Sequence, residues 1–194
     1  MLTFFQKNRF HVIVWAGMAL YLILAPNLYS SFFLRNGKPI RVNAELPAMS
    51  KKIQLHVDTF KPTIYDGQSL YSMVGWAFST ADRAKNPEDY ERQMVLISDK
   101  TNYIFSIETS PRADVQRAYK SLGMDLTKSG FTSLISQDLI KTGIYQIGVI
   151  FNDPQKGTSF YAVTDKYLIR TPNQIQISRT PTLSPTPTPS PDSN

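Results

Sequence analysis

Between residues 51 and 172 apolar side chains recur at every second position in short runs, a period that only extended strands with one inward face can satisfy. Ile53, Leu55 and Val57 alternate with Gln54 and His56, and a second run covers 69–78. Residues 94–98 (MVLIS) and 103–107 (YIFSI) flank a turn in which Asp99 and Asn102 suit local side-chain to backbone bonds. FTSLIS, GIYQIGVIF and TSFYAVTDKYLIR supply further strands, the last two joined by NDPQKG. One segment departs from the pattern. Ser110 can cap a helix with Pro111 in its first turn, and PRADVQRAYKSLG then reads as a short helix ended by Gly123. About seven short strands with a single helical crossover predict a mainly β, antiparallel sandwich over 51–172.

The flanking segments cannot share that core. Behind a short basic N-terminus, 1–11, residues 12–34 (VIVWAGMALYLILAPNLYSSFFL) carry no charge, and as a helix they are long enough to cross a bilayer core of about 30 Å. The rival reading is a secretory signal peptide starting at Lys7 and Arg9, but Pro26 after Ala25 and the bulky Leu28 and Tyr29 make poor cleavage sites. An uncleaved transmembrane anchor is the reading adopted. Basic residues fall on both sides of it, so charge does not fix its orientation. Residues 35–50 read as a juxtamembrane linker. Residues 173–194 alternate Pro with Ser and Thr toward the end and read as a disordered polyproline-type tail, of the kind used as stalks outside cells. The expected topology is a cytoplasmic N-terminus with everything after about Arg35 outside.

The motifs GWAF (75–78), RADV (112–115), GF (130–131) and GIYQIG (143–148), in that order, resemble the signature of an immunoglobulin-like domain found in uncharacterised bacterial envelope membrane proteins, some of them glycosyltransferase-like. That resemblance implies an immunoglobulin-like sandwich, a location outside the cytoplasmic membrane and a recognition or scaffolding role. It carries over no catalytic residue.

The residues themselves exclude most chemistry. Cysteine is absent, one of the two histidines lies at the start of the uncharged stretch, and no phosphate loop, GxSxG elbow, HExxH or Asp-rich calcium loop occurs. No cofactor or metal is expected, and no enzyme activity. The net charge of +6 is scattered, which is no footprint for nucleic acid. Five residues are candidates for partner contact. Strand alternation places Trp76 with Val74 and Phe78 on what reads as the core face; the alternative is a sugar platform with Tyr71 or Tyr103 beside it. Arg112 and Asp114 open the helix, with Arg112 paired to a carboxylate such as Asp138 or presented to an anionic partner. The polar run 80–93 is a further candidate surface, and Gly75 beside bulky residues marks a bulge or a close backbone approach. The expected partners are the lipid bilayer and an envelope glycan or protein. A second reading makes the chain an accessory subunit of an integral membrane enzyme or transporter, docked through the small and polar residues Ala16, Gly17, Ala19, Asn27, Ser30 and Ser31.

Overall fold

Each alternating run becomes a strand in the computed structural model, which describes residues 37–181. The strands are β1 (Arg41–Val42), β2 (Ala48–Met49), β3 (Ile53–Tyr65), β4 (Gln68–Ser79), β5 (Glu91–Ile97), β6 (Asn102–Ser106), β7 (Glu108–Ser110), β8 (Gly130–Ile135), β9 (Gly143–Asp153), β10 (Thr158–Arg170) and β11 (Ile175–Ser178). Among the described residues one α-helix, α1 (Ala113–Ala118), lies between β7 and β8. A seven-stranded sheet runs β1-β6-β5-β9-β10-β11 with β2 added to β10; a four-stranded sheet runs β3-β4-β8-β7. Every pairing is antiparallel except β2 with β10.

The two sheets bury a shared core between them. Met73, Ala77 and Phe131 from the smaller sheet meet Met94, Leu96, Phe105, Ile147, Val149 and Phe151 from the larger, all at or near zero exposure. This is the layered arrangement that two one-sided sheets require. The inward face of β4 is therefore Met73, Gly75 and Ala77, opposite to the face expected from Val74, Trp76 and Phe78. The outer face is apolar because a second layer covers it: Phe78 packs with Val115 of α1 and with Met124 and Leu126 after it, while Trp76, Tyr119 and Leu122 complete the cluster half-buried.

Both boundaries of the β unit are wider than the alternation indicated. The segment read as a linker is a strap: β1 pairs with β6, Ala44 and Leu46 pack on Val95, Ile104 and Ile150, and β2 joins β10 at Phe160 and Tyr161. At the other end β11 pairs with β10 inside the segment read as tail. The expected anchor, 12–34, and the Pro-rich end of the chain after 181 lie outside the described residues; among those described, no helix is long and apolar enough to cross a membrane.

Arg92 ties the layers together. Its buried guanidinium, on β5 of the larger sheet, donates to the carbonyls of Ala77, Lys128, Ser129 and Gly130 and to Thr109 Oγ1, all belonging to the smaller sheet or its connections. Burial with no carboxylate partner lowers its pKa to about 10, so it remains a cation at neutral pH.

Candidate functional site

The site begins with an irregularity in β3. Val57 pairs with Gly75 and Thr59 with Val74, which leaves Asp58 as a bulge residue without a partner. Gly75 is required opposite it, since a Cβ there would lie 2.2 Å from the His56 carbonyl oxygen and 2.7 Å from the Phe131 ring. The bulge swings the Asp58 carboxylate toward α1, where Arg112 Nη1 donates to its Oδ2 at 2.5 Å. The same guanidinium donates from Nε and Nη2 to both oxygens of Asp114, at 2.8 and 2.6 Å. Arg112 has its seat because Gly130 lacks a side chain: a Cβ there would come within 2.6 Å of Arg112 Cγ. The Arg112 amide also donates to the Thr127 carbonyl at 2.6 Å.

Three of the four sequence motifs thus converge on one latch that holds the α1 crossover against the bulged strand. Arg112 takes Asp58, 54 residues away, rather than Asp138. The N-cap of α1 is Arg112 itself and no side chain caps it, so Ser110 has no capping role. Hydrogen bonds from Arg112 hold Asp114 well below the usual carboxylate range, and those same bonds push Arg112 above its own. With one cation against two carboxylates the cluster is net acidic. His56, half-exposed with Nε2 3.7 Å from Asp58, extends its rim. Of the two readings of Arg112, pairing with a carboxylate is the one that the contacts bear out, and an anionic partner is disfavoured here.

Trp76 is neither sandwich core nor a bare platform. Its ring stacks on His56 at 5.9 Å and on Phe78 at 5.7 Å, and Tyr119 tilts against it at 5.6 Å. The structure separates the other two aromatics from it. Tyr71 points to the opposite face of β4 and stacks on Phe60 at 5.0 Å, and Tyr103 is buried in the larger sheet. The polar run 80–93 is pinned rather than loose: Lys85 Nζ meets both oxygens of the buried Asp153 at 2.6 and 2.7 Å, and Asp82 pairs with Lys156 at 2.9 Å.

A second site was not legible from motifs. A groove of about 630 Å³ opens between the β5–β6 turn (98–101) and the entry to β9, lined by Asp99, Lys100, Lys141, Tyr145, Gln146 and Tyr167 among others. Its floor is fixed by two tyrosines. Tyr103 Oη accepts from the Lys141 amide at 3.2 Å, Tyr145 Oη donates to the Lys141 carbonyl at 2.8 Å, and the rings meet edge to face at 5.6 Å. Burial, with Tyr103 adjacent, pushes the Tyr145 phenol up to about 12, so it stays a neutral donor. The turn is closed by Ser98, whose Oγ accepts from the Thr101 amide and donates to its carbonyl, in place of the bonds expected from Asp99 and Asn102. Asp99, Lys100 and Lys141 enter no ion pair among the described residues.

The fold and these two sites define a mainly β, two-sheet protein with one helical crossover. Compared with known proteins, the chain matches no protein-family model, no curated protein and no solved structure.

Proposed function

We propose that this chain is a single-pass membrane-anchored protein whose immunoglobulin-like β domain stands outside the cytoplasmic membrane and binds an envelope glycan or protein, without catalysis. The observation that carries the binding role is the groove. It offers one aromatic flank, Tyr167, beside the ammonium groups of Lys100 and Lys141 and the Asp99 carboxylate, which enter no ion pair among the described residues. A half-buried ring surrounded by convergent polar groups is the composition of sites that hold polar ligands such as sugars. The uncharged 12–34 and the motif resemblance support the location.

The test measures binding of the detergent-solubilised full chain to purified envelope polysaccharide. Tyr167→Ala and Lys141→Ala should each weaken it about tenfold, roughly 1.4 kcal/mol. Binding that both variants retain in full would remove the groove from the account, and absence of binding by the unaltered chain would shift the partner class to protein.

A further inference from the structure

We propose that the tip of the β3–β4 hairpin is a membrane-contact element that seats in the interfacial layer of the phospholipid bilayer. This rests on the reading of 12–34 as the anchor.

The tip is built to protrude. Asp66 and Gly67 both take positive φ, 49° and 74°, the conformation of a tight two-residue hairpin turn, and they join strands of 13 and 12 residues. Past Thr63 and Leu70, residues 64–69 are all exposed. Ile64 is 78% exposed and Tyr65 47%, the former the most exposed large apolar side chain among the described residues. An aliphatic and a tyrosine on adjacent positions, pointing to opposite faces of a projecting ribbon, give an apolar wedge with a polar handle, which is the pairing favoured where hydrocarbon meets water.

What covers this tip follows from where the chain enters the β unit. Gly37 is buried, its carbonyl accepts from the Ser136 amide at 2.8 Å, and it lies so close to Leu70 that a Cβ would meet that side chain at 2.7 Å. Leu70 is opposite Thr63, one residue before Ile64. Only Arg35 and Asn36 separate Gly37 from the last residue of the uncharged stretch, Leu34. Three residue steps reach at most about 11 Å, and the three steps from Leu70 to the turn span about 10 Å. With 12–34 as the anchor, the end of the unit that carries the tip is tethered within about 11 Å of the end of the membrane-crossing stretch. Two other exposed apolar residues belong to the same end: Ile40, three residues on from Gly37, and Leu139, in the 3₁₀ turn that follows Ser136. On the hairpin tip itself the two charges, Lys61 and Asp66, cancel, so the tip contact is apolar and indifferent to lipid charge.

The chain has no cysteine, so single labels are unambiguous. Ile64→Cys and, in the β9–β10 turn at the far end, Gln155→Cys are labelled with an environment-sensitive fluorophore in the full chain and reconstituted into phosphatidylcholine vesicles. The label at 64 should shift to the blue and be quenched by brominated lipid, whereas the label at 155 should do neither; replacing a third of the lipid with phosphatidylglycerol should change nothing. A water-like spectrum at 64 in a chain that resists carbonate extraction overturns the tip and spares the anchor. Release by carbonate refutes the anchor, and the quenching at 64 then still decides the tip by itself. A blue shift without lipid quenching assigns the tip to a protein contact and also overturns the proposal.

Discussion

At the scale of single residues, the two aromatic neighbours Trp76 and Phe78 differ in role despite sharing a face. Phe78 is fully buried beneath α1, whereas Trp76 caps the same cluster half-exposed between His56 and Tyr119. Phe78→Ala should lower the stability of the full chain by about 3 to 5 kcal/mol and Trp76→Ala by about 2, as read from denaturant midpoints in detergent. Equal losses would contradict the layered packing. The face of β4 turned to the sandwich was not readable from alternation, because period two identifies two faces without saying which is inner when both are apolar. Here α1 supplies a second cover, and no local signal announces it. Gly75 was legible, since a glycine among bulky strand residues points to a close backbone approach, and His56 O fills that space. Acid should act through Asp153. Its hydrogen bond with Lys85 holds its carboxyl below the ordinary value of 3.8, so the unfolded chain binds the proton more readily than the folded one. The stabilisation is then complete above that value and is lost as pH falls through it and toward the folded pKa. In urea titrations the gap between the unaltered chain and Asp153→Asn should be widest above about pH 5 and narrow progressively as pH falls below about 4. A gap independent of pH would show that the ion pair does not titrate with folding.

At the scale of elements, the Arg112 latch makes the α1 crossover conditional on the bulge in β3. Asp58→Asn and Arg112→Ala should be non-additive, the double variant losing little more than Arg112→Ala alone, because both remove one contact. Hydrogen exchange at the amides of 115–119 should rise in each single variant while β9 and β5 stay protected. Additive losses would mean the two side chains act separately. The existence of the crossover and its end at Gly123, which takes φ 69° after the 3₁₀ turn Lys120–Leu122 that follows α1, could be read from the Pro and Gly signals, whereas the Ser signal misled, since Ser110 caps nothing and α1 itself stops at Ala118. The crossover's partner could not be read, because a bulge 54 residues upstream leaves no periodic trace. Strands of two to four residues such as β1, β2 and β11 are too short to show a period, which is why a strap read as linker and a strand read as tail. The groove escaped for a related reason: it is assembled from turn segments held together by tyrosine side chains rather than by any run of residues.

For the whole molecule, the uncharged stretch, the motif resemblance, the hairpin tip and the groove bear on one proposal, that the β unit lies outside the cytoplasmic membrane and is anchored to it. An accessory-subunit role would use 12–34 differently. Replacing that stretch by an unrelated span of equal length should leave glycan binding and export unchanged if it is a tether, and loss of a co-purifying integral membrane protein with the β unit still exported would favour the subunit reading. The location itself is tested most directly by one measurement on intact cells. The Gln155→Cys chain, cysteine-free elsewhere, is exposed to a membrane-impermeant maleimide before and after lysis. The account predicts full labelling before lysis; labelling that appears only after the cytoplasmic membrane is opened would contradict it.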